Sequence, residues 1–256
     1  MIKNILKGIQ AYSGALALIS KLRLWNFFFI PIIISIITAT VIGVLAYMLS
    51  GTIGEFIAEI WIWDFGKETF TTISTFIGAI IILAIGLILY KHIIMALSAP
   101  FMSPVSEKIE MYLTGIERHN YRNTTFSEQL WRGIRINMRN LAKELLFTIP
   151  ILLLKFIPVV NIFSTVLLFL VQAYYAGFGN MDYTLERHLK YRESVKFVKQ
   201  HKGIAIGNGI VFILFLLIPV VGVILVLPMS VTAASLKTVK LLKEERLLLE
   251  KRVFVS

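Results

Sequence analysis

The sequence predicts an all-α integral membrane protein, with two long transmembrane helices followed by two proline-cornered helical hairpins that penetrate about half of the bilayer. Three observations predict this. Hydrophobic residues make up 57% of the chain and mean hydropathy is +0.79, too apolar for a soluble globule of this length, with charge-free runs separated by hydrophilic patches. Residues 24–50 and 69–98 are apolar, the second interrupted only by Lys91-His92, and each exceeds the roughly 20 residues that a hydrocarbon core requires. Finally, Ile-Pro-Val-Val occurs twice between apolar arms, as Ile157-Pro158-Val159-Val160 and Ile218-Pro219-Val220-Val221. Proline lacks the N–H that a helix interior needs and biases its predecessor away from helix, so each corner ends one helix. Asn161 and Gly222 then supply residue types that tolerate a tight reversal.

The chain reads as a single membrane domain, 1–256. Residues 1–20 form an interfacial amphipathic helix, with Ile2, Ile5, Leu6, Ile9 and Tyr12 on one stripe and Lys3 and Lys7 away from it. The apolar run that follows is too long for the core of a cleavable signal peptide. Lys21-Leu22-Arg23 precedes the first span, and Pro31 near its start bends it at most. Between the spans lie Glu55, Glu59, Asp64 and Glu68, with Trp61 and Trp63 at the level of an aromatic belt. Pro100 and Pro104 break the chain after the second span, and Ser103 with Pro104 opens a new helix over 105–113. Residues 126–145 form a helix with an apolar stripe (Leu130, Ile134, Met138, Leu141) and a basic one (Arg132, Arg135, Arg139, Lys143). The basic stripe suits anionic lipid headgroups or a collar at the mouth of a pathway.

The hairpins occupy 139–182 and 202–237, separated by a charged stretch over 186–202 and followed by a cytoplasmic tail, 238–256. Their arms 145–157 and 203–218 rise about 20 and about 24 Å at 1.5 Å per residue, short of a core about 30 Å thick. A turn inside the membrane must be covered by protein or trapped water, so either the hairpins shelter each other or the protein oligomerises.

The net charge is +11. Basic residues precede the first span, follow the second and fill the tail, with acidic residues between the spans. That asymmetry places both termini in the cytoplasm of a multi-pass membrane protein. There is no cysteine, which excludes disulfides, thiolate metal sites and cysteine nucleophiles. His92, His119, His188 and His201 have no metal-ligand spacing, and neither a Gly-x-Ser-x-Gly nor a Walker loop occurs. An enzyme, a metal site and a cofactor are therefore not predicted. Nucleic acid is not predicted either, since the basic residues lie where topology wants them. Gly203, Gly207 and Gly209 follow no strand, and Gly203 and Gly207 share a face suited to close helix packing. Lys155, inside a membrane arm, is either a pathway charge or a side chain that snorkels to the headgroups.

The segment Ala96-Leu97-Ser98-Ala99-Pro100-Phe101-Met102-Ser103-Pro104-Val105-Ser106-Glu107-Lys108-Ile109-Glu110 resembles the Ala-Pro-Phe…Glu-Lys-x-Glu segment of the CysZ family of bacterial sulfate permeases, part of the wider etoposide-induced membrane protein family. The resemblance continues through Ile157-Pro158-Val159-Val160, Asp182-Tyr183, the Gly203…Gly209 stretch, Ile218-Pro219 and Leu227-Pro228-Met229-Ser230-Val231-Thr232-Ala233-Ala234, and covers about residues 90–236. It implies two long spanning helices with two partly penetrating hairpins, oligomeric assembly and sulfate uptake. In that family a Gly-Leu-Arg motif opening the first long helix is associated with sulfate. Lys21-Leu22-Arg23 is the nearest match, with lysine in place of glycine; counted back from Pro31, Trp25 and Asn26 stand where the family has arginines.

The expectation is a homo-oligomeric permease or channel in the lipid bilayer that passes a small inorganic anion, sulfate first, without ATP or a bound cofactor. A sulfate dianion must exchange its hydration for N–H donors and positive charge. Arg23 and Lys21 provide the charge, and exposed N–H groups where broken helices begin add to it. A non-transporting membrane scaffold or assembly protein of the same family is the alternative.

Overall fold

A computed structural model describes residues 1–62, 65–115, 125–154, 157, 160–218 and 221–253. Trp63, Asp64, His119, Lys155 and the corner residues Pro158, Val159, Pro219 and Val220 lie outside the described residues. Ten helices run in the order α1 (Ile2–Gln10), α2 (Ala15–Lys21), α3 (Trp25–Ala58), α4 (Lys67–Leu97), α5 (Ala99–Thr114), α6 (Phe126–Leu154), α7 (Asn161–Leu185), α8 (Tyr191–Gln200), α9 (Lys202–Leu216) and α10 (Val221–Val253), and no strand occurs among the described residues. The protein is an all-α membrane protein. Among the described residues, four segments are long and apolar enough to cross a bilayer: α3, α4, α7 and Ile224–Glu245 of α10.

Several boundaries differ from the sequence expectation, each for a physical reason. The N-terminal segment is two helices, because Gly14 takes a left-handed φ of 85° between them. Its apolar stripe is divided: Ile2 and Leu6 are exposed, while Ile5 packs against the main core. The helix after the second span begins at Ala99, not 105, with Pro100 in its first turn, where a missing N–H costs nothing, and Pro104 inside it. The basic helix and the first hairpin arm are one helix, α6, that continues through Pro150. The second returning arm runs on through the expected tail as α10, so one arm of each hairpin is long enough to span while α9 has 15 residues.

α9 lies between two backbones. A Cβ on Gly209 would overlap the Ala173 carbonyl of α7, and one on Gly177 of α7 would overlap the Ala205 carbonyl of α9. On its other side Gly207 faces the Ile5 carbonyl and Gly8 of α1 faces the Ile204 carbonyl. Side-chain hydrogen bonds reinforce this sandwich. Asn180 Nδ2 donates to Asn208 Oδ1 (2.9 Å), Asn208 Nδ2 to the Ser230 carbonyl (3.0 Å), and the Tyr12 hydroxyl reaches Ser230 Oγ (2.8 Å). The main core gathers Leu24, Phe28, Ile94, Met95, Met102, Phe212 and Leu227 from α3, α4, α5, α9 and α10. The far part of the α3–α4 hairpin is held by small residues: Gly54 abuts the Thr75 backbone and Gly78 the Ser50 carbonyl. Tyr47, Met48, Phe56 and Phe76 on its outside are exposed, the surface expected against lipid.

The glycine contacts give a direct prediction. Gly209→Ala puts a methyl into the Ala173 carbonyl and should destabilise the protein by about 1–3 kcal/mol. Gly43→Ala, where a Cβ meets nothing within 4 Å, should be neutral or stabilising by up to about 1 kcal/mol. Thermal melting of both variants in detergent checks this; equal behaviour would refute the backbone contact.

Candidate functional site

Lys21 ends α2, and its Nζ donates to the Tyr112 hydroxyl of α5 at 2.8 Å, 4.8 Å from that ring's centroid. Its charge thus meets a phenol rather than a carboxylate. Arg23 lies just before Leu24, the N-cap of α3, not inside the first turn. The peptide closes α2 with the Arg23 N–H on the Ser20 carbonyl (3.2 Å) and the Leu24 N–H on the Ile19 carbonyl (2.9 Å). That is the paired hydrogen-bond pattern of a Schellman stop, with Ile19 and Leu24 buried together beneath it. Its left-handed position, normally glycine, is taken by Arg23 at φ 52°, the one non-glycine positive φ among the described residues. A non-glycine residue there costs on the order of 1–2 kcal/mol. The Arg23 side chain is exposed and has no ion-pair partner among the described residues. Lys155, the third expected charge, lies outside the described residues.

Sequence reasoning missed a layer of buried ion pairs where α4, α5, α6, α7 and α8 meet. Lys91 Nζ lies 2.6 Å from Glu144 Oε1, and His92 Nε2 lies 3.1 Å from Oε2 of the same carboxylate. The sequence reads Lys91-His92 as the basic end of a span, but both are buried inside α4. Arg132 grips Asp182 with Nε at 3.1 Å and Nη2 at 3.0 Å, and donates to the Leu189 carbonyl and Ser194 Oγ at 2.8 and 2.7 Å. It joins α6 to α7 and α8 and is no headgroup-facing charge. Arg187 Nη2 lies 3.2 Å from Glu110 Oε2, while its Nη1 donates to Ser106 Oγ at 2.6 Å. His188 Nε2 sits 2.9 and 3.0 Å from the two oxygens of Glu110.

Each buried cation therefore has its carboxylate, and the layer is closed electrostatically. Breaking one partner of such a pair leaves an uncompensated charge and costs about 3–5 kcal/mol. One sequence signal was available. Gly133, Asn137, Asn140, Glu144 and Thr148 recur at helical spacing on α6 and form its buried face. Beside the layer, a cleft of about 400 Å³ opens between α4 and α6. His92 and Asn137 are polar exceptions in a wall of Leu89, Ile93, Leu97, Ile134, Met138 and Leu141, which suits hydrocarbon and not a dianion.

Glu186 caps the C-terminus of α7, just beyond its spanning segment. Burial pushes its carboxyl up from 4.5 to about 7, partly offset by the Ser103 hydroxyl and the guanidinium groups of Arg132 and Arg187 and aided by the Asp182 charge. Burial also raises Glu110, but His188 and Arg187 outweigh it and hold that carboxyl below 4.5. Between pH 4.5 and 7 the folded protein keeps a proton on Glu186 that the unfolded chain has lost, so stability from this group falls as pH rises through that window. The Glu110 contribution is lost only at lower pH. Glu186→Gln should accordingly melt above the parent at pH 8 and level with it near pH 5; a difference independent of pH would refute the assignment.

A family model described as Sulfate transporter CysZ/Etoposide-induced protein 2.4 matches residues 11–227. The chain belongs to this family. Curated relatives carry the name sulfate transporter CysZ: one from Pseudomonas aeruginosa PAO1 is 29% identical over 61% of this chain and 64% of its own length. Another from Pseudomonas paraeruginosa PA7 is 27% identical over 90% and 94%, and one from Vibrio parahaemolyticus is 27% identical over 93% and 96%. The chain thus spans a little under two thirds of the P. aeruginosa relative it matches. The family match includes Lys21, Arg23 and the whole buried charge layer.

Proposed function

We propose that this protein is a membrane permease for a small inorganic anion, sulfate first, working without ATP, with Lys21 and Arg23 as the first contact for the anion. The observation that carries the reading is the uncompensated charge of this pair at the junction of α2 and α3, within a family of sulfate transporters. The buried cations of the bundle are neutralised by carboxylates, whereas Lys21 and Arg23 form no ion pair among the described residues. An arginine held where glycine would cost less backbone strain is a sign of selection for the side chain. Guanidinium offers a planar fork to two oxyanion oxygens, and the first amides of α3 begin two residues further on.

The proposed setting is the bacterial inner membrane, both termini cytoplasmic, in a homo-oligomer that covers the hairpin turns. The charge asymmetry supports that orientation. Reporter fusions at Ser13, Lys143, Glu193 and Ser256 should report cytoplasm and one at Glu59 the outside. A periplasmic signal at Lys143 or Glu193 would overturn it.

Sulfate binding by purified protein, and sulfate flux into proteoliposomes, test the function. Arg23→Gly should weaken sulfate binding about ten- to a hundredfold, the loss of one charge-assisted hydrogen-bond donor, while raising the melting temperature by relieving the left-handed strain. Arg135 stacks on the Tyr191 ring at 4.4 Å, so Arg135→Ala should leave sulfate affinity within about twofold. Wild-type protein that neither binds nor moves sulfate would remove the permease reading.

A further inference from the structure

The fold builds a second cationic cluster, between α1 and α10, that has no ion pair among the described residues. α1 and α9 run alongside in the same direction, since Gly203 meets Asn4, Gly207 meets Ile5 and the Tyr12 hydroxyl donates to the Asn208 carbonyl (2.8 Å). α10 returns antiparallel to both, and Tyr12 also reaches its Ser230 Oγ. Lys237 follows Ser230 by seven residues, two turns along the same face, a rise of about 10 Å. Lys7, on α1, precedes Tyr12, in the turn just beyond that helix, by a rise of about 7 Å in the same direction. The two lysines therefore converge. The charges of Lys240, three residues beyond, and of Lys7 both act on the Lys237 ammonium.

Among the described residues nothing acidic closes this group. Lys7, Lys237 and Lys240 form no ion pair among the described residues. On α10, Glu245 is engaged by His201 at 2.9 Å, and Glu244 is exposed without an ion pair among the described residues. Like charges at such spacing repel, and the lysines cannot drift apart by moving α1, because Gly8 and Gly207 bring the two backbones into contact. The convergence is thus imposed by the fold and calls for an anion from outside the chain. The same helix supplies an apolar flank: Ile2 is 73% exposed and Leu6 51%, surface that water does not favour and acyl chains do. A free phosphate would use the lysines alone; a lipid uses both.

We propose that Lys7, Lys237 and Lys240 form a binding site for the phosphate of one anionic phospholipid, seated between α1 and α10 with an acyl chain against the exposed Leu6. All three lysines lie outside residues 11–227, the part matched by the family model, whereas Lys21 and Arg23 lie inside it. The lipid site fastens the N-terminal helix and the last helix to the membrane surface through one shared headgroup.

Native mass spectrometry of the full-length protein in detergent, titrated with phosphatidylglycerol, phosphatidylcholine or inorganic phosphate, tests the site. Phosphatidylglycerol should bind saturably and phosphatidylcholine should not. The triple variant Lys7→Gln/Lys237→Gln/Lys240→Gln should lose at least about tenfold in phosphatidylglycerol affinity with sulfate binding unchanged. Lys240→Glu alone, at an exposed position, should show the same direction of effect should the triple variant fold poorly. Arg192→Gln/Lys196→Gln/Lys199→Gln removes the same charge from α8 and should leave phosphatidylglycerol binding intact. An equal loss in this control, equal binding of the two lipids by the parent, or an equally tight and saturable inorganic phosphate complex would each overturn the proposal.

Discussion

The contact of α9 with the backbones of α7 and α1 is the constraint on which the rest of the structure depends. Lipid tails are as apolar as leucine, so burial alone gives helices little reason to associate inside a bilayer; dense packing and hydrogen bonds must do it. Gly177 and Gly209 let α7 and α9 touch, and Gly8 and Gly207 let α1 close the other side. This proximity puts Asn180, Asn208, Ser230 and Tyr12 into one hydrogen-bonded chain. With 15 residues, α9 is too short to hold its place by spanning, and its neighbours hold it instead.

The buried ion pairs act at the other level of organisation, locking the long α4 and α6 helices and the α5, α7 and α8 segments at one end of the bundle. Outside this region, the far part of the α3–α4 hairpin is held by its own small-residue contacts. The protein thus has a rigid, charge-stapled end and a more independent hairpin, and local opening is expected to concentrate in the hairpin. Arg23 sits immediately before the N-cap of α3.

Features that rest on local chemistry were legible in the sequence. Length and hydropathy exposed α3 and α4, the two prolines marked where hairpin arms end, and the spacing of Gly203 and Gly207 announced close packing. The family resemblance read from Ala99-Pro100-Phe101 onward agrees with the family match. Features that rest on long-range partners were not legible. Lys91 and Glu144 are separated by 53 positions, so nothing near Lys91 distinguishes a buried lysine from one at a membrane surface. The change of pattern near residue 145 suggested a helix boundary, yet α6 is continuous, because periodicity reports what a helix touches and not whether its backbone is broken. Nor could Arg23 be seen as strained, since the stop that closes α2 lacks the glycine that usually signals it.

The continuity of α6 has an evolutionary consequence. Its buried face carries Asn137, Asn140, Glu144 and Thr148 in one helical register, while Leu146, Phe147, Ile149 and Leu153 on the other side are exposed. Each residue turns the helix by about 100°. One inserted or deleted residue between Glu144 and Pro150 would swing everything beyond it out of register. An insertion just before Glu144 would turn that carboxylate away from Lys91 and strand both charges. Lineages descending from this sequence should therefore vary freely in the identity of the outward side chains of α6 while keeping its residue count fixed.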